Sequence, residues 1–480
     1  MIKMILTPRR QNRSEVDILR QKKFRMPTAY TILFLLIIAV AVSTWLIPAG
    51  TYEYVDGVPQ AGTYRPAPAS PQGPGAVAKA AFSGFYEAVD VCVFILMVGG
   101  FLSVVMKTGA VDAGVGSVIR RLGGREQWLI PILMVFFGLG GTTYGMWEET
   151  MAFYPLLIPV FLAAGYDAVV GIAVIMLGAG AGVISSTVNP FATGIAAGFA
   201  GVSLGDGILL RAIQWVVFEG AAIWYVAAYA ARVKKNPSRS VVGVGAGKLQ
   251  VSMEQSVPFT PRRKAIMAVF ALIFLIMTYA VIPFDEMGLP LPTLGWWFPE
   301  LSALFLVGSI LVGLMDRMGE EELVDTFVAG CADLLGVALI IGISRGITVL
   351  MNDGKITDTI LHWGEAAVSG AGPIQFVLLV YLLYLPLSVL IPSSSGLATL
   401  SVPILAPLAK FAGVSGALVV TAFQSASGLV NLITPTAAVV MGALALGHVP
   451  YDRWLKFSWK LIAVFALLTV LFLMAGVALG

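Results

Sequence analysis

The chain has 480 residues, 58% of them hydrophobic and 12% charged, with a net charge of +3. A soluble domain of ordinary surface-to-volume ratio cannot hide that much apolar surface, so the surroundings must be lipid. Enzyme chemistry has little to work with: His362 and His448 have no HExxH, CxxC or triad-like company, and Cys92 and Cys331 sit in apolar runs as small buried hydrophobes. No cofactor or nucleic-acid partner is implied, because the positive charge belongs to loops.

In chain order, the polar, basic segment 1–27 is expected to stay in the cytoplasm. The apolar run 28–48 behind it is too long for a signal-peptide core and reads as a retained first helix. The sequence predicts an all-α polytopic membrane protein with nine spanning helices, at 28–48, 82–106, 168–200, 209–232, 264–283, 297–316, 327–351, 414–447 and 458–479, several reaching the ~20 residues that cross ~30 Å of hydrocarbon. The Pro- and Gly-rich stretch 56–74 reads as an external loop. Two apolar stretches, 128–162 and 372–412, do not fit as simple spans. Each has two short arms joined by a Gly, Ser, Thr or Pro rich tip, at 138–150 and 391–399. That pattern suits a re-entrant hairpin, tolerated only when buried in protein or lining a polar cavity. Residues 234–263 read as a cytoplasmic linker between a first half, 28–233, and a second half, 264–480, which carries one extra helix at 264–283.

Charge orients this layout. It places 24 of the 30 Lys and Arg residues on one side, as the positive-inside rule requires of a cytoplasmic face. The N-terminus is then cytoplasmic and the C-terminus external, in a bacterial inner membrane. An internal repeat gives the same scheme. Residues 82–111 align on 327–356; Pro155, Pro159 and Gly165 match Pro403, Pro407 and Gly413; and SSTVN at 185–189 matches SGLVN at 427–431. The copies run in opposite directions, an inverted-topology repeat.

Each of those motifs lies in an apolar helix closely followed by proline. Proline removes a donor and clashes with the preceding turn, so the helix opens and exposes carbonyls at mid-membrane depth. With Ser185, Ser186, Asn189, Ser427, Asn431 and Thr436, and with Thr142, Thr143, Ser393 and Ser395 from the hairpin tips, these carbonyls would form a neutral oxygen cage suited to sodium. The free half-helix N-termini can face a carboxylate. The alternative is that the hydroxyls bond back to their own helices. Candidate substrate ligands are Trp147, Glu148, Glu149, Asn189, Arg345, Ser394, Asn431 and Thr434. Carboxylates beside a tryptophan can hold an organic cation, and a guanidinium can clamp a carboxylate through two parallel hydrogen bonds. Glu148 and Glu149 could instead be structural, and Arg345 could reach the interface or pair with Glu219.

The segments at 26–54 (MPTAYTILFLLIIAVAVSTWLIPAGTYEY), 148–159 (EETMAFYPLLIP), 185–194 (SSTVNPFATG), 342–361 (GISRGITVLMNDGKITDTIL) and 431–444 (NLITPTAAVVMGAL) resemble the YfcC branch of the DcuC-type four-carbon dicarboxylate carrier family. The resemblance covers nearly the whole chain. It implies membership of the ion-transporter superfamily: homodimers with paired hairpins, Ser/Thr/Asn sites linked to sodium or protons, and elevator-like alternating access. The family name implies dicarboxylates, the YfcC branch basic amino acids. The expectation is an ion-coupled transporter or exchanger for a basic amino acid such as arginine or ornithine. A four-carbon dicarboxylate is the alternative substrate and a passive channel the alternative class. Sodium is expected as the coupling ion, with protons left open.

Overall fold

Apolar segments of such a chain become helices because a helix pairs every backbone N–H and C=O within one segment, where lipid offers no partner. The computed structural model describes residues 29–111, 113–114, 117, 125–143, 145–203, 205–242, 258–281, 284–285 and 290–479. The basic segment 1–27, residues 243–257 of the linker and Tyr144 of the first tip lie outside the described residues.

The first half runs from α1 (Ala29–Leu46) through four two-residue strands, β1 (Gly50–Thr51), β2 (Tyr54–Val55), β3 (Val58–Pro59) and β4 (Arg65–Pro66). It continues with α2 (Pro74–Glu87), α3 (Val89–Lys107), α4 (Leu129–Thr143), α5 (Tyr154–Ala163), α6 (Ala168–Ile184), α7 (Ile195–Ala200) and α8 (Ile208–Lys235). The second half comprises α9 (Pro261–Val281), α10 (Phe298–Asp316), α11 (Glu320–Asp353), α12 (Thr357–Val368) and α13 (Pro373–Leu390), then α14 (Ser394–Phe411), α15 (Gly416–Asn431), α16 (Ala438–Leu446) and α17 (Tyr451–Leu479). Among the described residues, six of these (α3, α8, α10, α11, α13 and α17) are long and apolar enough to cross a membrane.

Several boundaries differ from expectation, each for a physical reason. The predicted span 82–106 is two helices, divided at Ala88 (φ −120°, ψ 16°). Helix α11 begins at Glu320, well before the predicted 327, because Glu320, Glu321 and Glu322 favour the positive end of a helix and carry it beyond the apolar stretch. The second tip is short: Ser393 accepts from the Gly396 amide at 3.2 Å and starts α14, so 394–399 is helical. The stretch 357–368, to which the sequence assigned no element, is helix α12.

The helices pack as two groups. In the first, α11 lies against α1, α2 and α3, with α10 on α3 and α9 on α10. The α3–α11 crossing is backbone on backbone: a Cβ on Gly99 would lie 2.5 Å from the Gly330 carbonyl oxygen, and one on Gly330 2.3 Å from that of Gly99. Small residues allow such approach where lipid supplies no hydrophobic drive. In the second group, α6 contacts α4, α5, α8 and α15, while α15 also contacts α13, α14 and α17. The groups meet where α16 and the turn after the first tip touch α11 and α3.

At one end of the molecule the segment 50–66 is clasped onto α12. The strands pair β1 with β4 and β2 with β3, both antiparallel. Asp358 accepts from the Tyr54 hydroxyl at 2.7 Å and the Tyr52 amide at 3.0 Å, and Glu365 accepts from the Tyr52 hydroxyl at 2.8 Å. Burial first, then the Glu365 hydrogen bond, raises the Tyr52 hydroxyl above its ordinary pKa and keeps it a donor. Tyr64 stacks on His362 at 4.0 Å and bonds Thr359 at 2.9 Å.

Candidate substrate and ion site

Both predicted helix interruptions occur. Helix α6 ends at Ile184, the chain is non-helical through Asn189, and a π-type turn at Pro190–Gly194 leads into α7. Helix α15 ends at Asn431 and α16 starts at Ala438, with Pro435 in the gap. The openings are offset against the repeat: the first helix stops at Ser185, whereas the second stays wound through Ser427, which is buried inside α15.

At the first opening the hairpin tip supplies the bonds. The Thr142 hydroxyl donates to the Ser185 carbonyl at 2.8 Å, and the Thr142 carbonyl accepts from the Thr187 amide at 2.8 Å and hydroxyl at 2.9 Å. Ser186 reaches the same carbonyl at 3.5 Å. Thr143 bonds back to Leu139 of its own helix at 2.6 Å and serves α4. Gly145 has φ +84°, and its Cβ position lies 2.5 Å from the Asn189 amide nitrogen, so only glycine lets the tip close over that side chain. The Asn189 side-chain oxygen accepts from Ala192 N at 3.2 Å, which starts the next turn.

At the second opening Thr434 and Thr436 share a hydrogen bond of 2.8 Å, and the Thr436 hydroxyl donates to Val389 O of the second hairpin at 2.9 Å. Ser344 of α11 donates to Thr436 O at 2.6 Å, which ties this opening to the first helix group. Trp454 caps Leu432 O at 3.0 Å, and Tyr451 caps Ile433 O.

The sequence did not single out the partners that brace the first opening from other helices. Gln424 donates to Val183 O at 2.8 Å and Ser425 to Ile184 O at 3.0 Å, while Gln214 donates to Ser425 at 3.0 Å. Arg211, 1% exposed, donates to Thr187 O at 3.2 Å. A polar residue recurring inside an apolar helix was the available signal.

Between the two groups lies a cleft. Val91, Ile341, Ser344 and Arg345 line it from the first group; Trp147, Glu148, Pro392, Asn431 and Thr436 line it from the second. Its cavity volume is about 30 Å³. Arg345 and Glu148 face the same cleft, yet no ion pair within 4 Å joins them among the described residues. Glu149 turns away from the cleft and accepts from the Trp147 amide at 3.1 Å, fixing the tip. Five candidate residues, Trp147, Glu148, Arg345, Asn431 and Thr436, therefore converge. Asn189 and Thr434 lie at the openings without lining the cleft. Of the second tip only Pro392 reaches it among the described residues; Ser393 caps α14, Ser395 bonds Ser393 at 3.4 Å, and Ser394 begins the helix.

The chain is 33% identical over 512 residues to an uncharacterised protein of Haemophilus influenzae, covering 96% of this chain and 98% of that one. It is 28% identical over 502 residues to YfcC of Escherichia coli, a candidate basic amino acid antiporter by name, covering 95% and 96%. Among solved structures, the YdaH transporter of Alcanivorax borkumensis aligns at TM-score 0.44 and 15% identity, covering 94% of this chain and 99% of that one. MtrF of Neisseria gonorrhoeae, described within a class of antimetabolite efflux pumps, aligns at 0.44 and 17%, covering 96% and 97%. The model of the C4-dicarboxylate anaerobic carrier family, DcuC, matches residues 26–478, and the chain belongs to that family as a multi-pass membrane transporter.

Proposed function

We propose that this transporter is a secondary carrier for a small charged metabolite, a basic amino acid such as arginine or ornithine, exchanged or co-transported with an ion by elevator-type alternating access. The observation that carries the reading is one cleft with a guanidinium on one wall and a carboxylate beside an indole on the other. The α-carboxylate of an amino acid suits Arg345, and its distal cation suits Glu148 and Trp147. The name of the Escherichia coli relative points the same way.

Alternating access is supported by where the cleft lies. Its walls belong to different helix groups, so sliding one group past the other would open it, and about 30 Å³ is too little for an amino acid until that happens. The inverted repeat is supported by the packing: each hairpin's first arm lies on its own interrupted helix, α4 on α6 and α13 on α15. Each second arm lies on the far half of the other interrupted helix, α14 on α7 and α5 on α16. A coupling sodium is supported by two buried side-chain oxygens without a hydrogen bond, Ser185 Oγ and Asn431 Oδ1, one at each opening. Our reading keeps a homodimer in a bacterial inner membrane, the N-terminus cytoplasmic and the C-terminus external.

Counterflow in proteoliposomes tests this function. Saturable exchange of arginine or ornithine is the expected result. Uptake of succinate or fumarate with no response to cationic amino acids would move the assignment to a four-carbon dicarboxylate, which the family name and Arg345 favour. Non-saturable flux would indicate a channel.

A further inference from the structure

Glu219 lies in the middle of α8, 4% exposed, and neither carboxyl oxygen has a hydrogen-bond partner. It points at the arm of the first hairpin, where a Cβ on Gly138 would lie 2.4 Å from Glu219 Oε2 and 3.2 Å from the indole nitrogen of Trp215. That indole N–H, one turn away, also lacks a partner within hydrogen-bonding geometry. On its other side Gly138 supports α6, because a Cβ on Gly182 would lie 2.2 Å from the Gly138 carbonyl oxygen. The carboxyl is thus enclosed by hairpin and helix backbone.

Among the described residues no cation is at hand. The elements packed on α8 are α4, α6, α15 (through the Gln214–Ser425 hydrogen bond) and α17, with the turn Pro237–Arg239 beyond the far end of the helix from Glu219. The first three contain no Asp, Glu, Lys, Arg, His or Tyr, and those of α17 fall between Tyr451 and Lys460, in its first ten residues. On α8 itself the nearest basic residue is Arg211, engaged with Thr187 O and about 12 Å up the helix axis. A carboxylate so placed would be an isolated charge in low dielectric, so the enclosed form is the neutral acid. The same helix carries Arg211 and Gln214 to the first opening, about 12 Å and about 8 Å along its axis from Glu219.

We infer that Glu219 is a proton-binding site of the second helix group, loaded in the conformation described and unloaded when water reaches the α4–α8 contact. The proton adds to Glu219 Oε1 or Oε2 and leaves to water, with no other bond changed. The site is separate from the oxygen cage at the openings and holds whether or not sodium also binds there. It rests on the transport reading for its role in coupling, and on geometry alone for the bound proton.

Two measurements on the full-length protein in proteoliposomes decide it. With a pH dye inside, wild-type substrate flux should move protons, and Glu219→Gln should lower the protons moved per substrate at least tenfold. An unchanged ratio overturns the inference. So does a ratio lowered equally by Trp215→Phe with Glu219 intact, which would make the effect one of packing. Independently of any substrate, dicyclohexylcarbodiimide, which attacks protonated carboxyls from the apolar phase, should leave an acylurea adduct on Glu219 at pH 7 and none on exposed Glu321. No adduct at Glu219 overturns the proton site even if transport is confirmed. An adduct in a protein that transports neither amino acids nor dicarboxylates would keep the proton site and reject the substrate reading.

Discussion

Glu148 and Glu149 are neighbours with different tasks, and the difference is measurable. Glu148 lines the cleft opposite Arg345, whereas Glu149 holds the Trp147 amide. Loss of a desolvated charge partner commonly costs ~2–5 kcal/mol. Glu148→Gln should therefore cut uptake of arginine or ornithine at least tenfold, with Glu149→Gln milder and expressed as lower thermal stability, since it weakens a tip contact. Arg345→Lys should raise KM through loss of the two-pronged bond to a carboxylate; radiolabelled uptake by the three variants checks all of this. If sodium is the coupling ion, Asn431→Ala should lower apparent sodium affinity before it affects folding, read as sodium dependence of uptake against a melting curve. The cleft residues were readable in sequence because charge, indole and amide are rare in apolar surroundings. Arg211, Gln214, Gln424 and Ser425 were not, because their meaning lies in acceptors on other segments, such as Val183 O, 241 residues from Gln424.

At the scale of elements, the two helix breaks were legible because proline and clustered hydroxyls interrupt an otherwise unbroken apolar text. Helix ends were less so, since charged turns such as Glu320–Glu322 continue a helix past the hydrocarbon, where hydropathy has no signal. Helix α12 and the first turns of α2 were missed for a related reason: their amphipathic surfaces do not reach spanning length. Where backbones touch, single substitutions should be severe. Gly145→Ala places a side chain at φ +84° against Asn189. It should cost about 1–3 kcal/mol and loosen the first tip, seen as a lower melting temperature together with reduced transport. Gly330→Val must push the Gly99 backbone aside and should prevent accumulation of folded protein, checked by size-exclusion profile in detergent.

For the whole molecule, the proposed orientation is open to direct labelling. With Cys331 replaced, a cysteine at Gly62 should react in intact cells with an impermeant thiol reagent, and one at Ser238 should not. Labelling of Ser238 alone would invert the molecule. The two-group arrangement could not be read from sequence, because it depends on which helices touch rather than on which segments are helical.

The clasp over α12 also fixes an order of events in biogenesis. Its hydrogen bonds join residues 295 to 313 positions apart. At ~5–20 residues per second of synthesis, segment 50–66 therefore waits roughly 15–60 s for its partner helix to be made. During that interval Tyr52, Tyr54 and Tyr64 have no α12 to bind. A protease added to nascent chains stalled before residue 357 should cut within 50–66, and the same sites should become resistant once translation passes residue 368. Arrested or truncated chains would thus be marked for removal by a segment that finished molecules hold in place against α12.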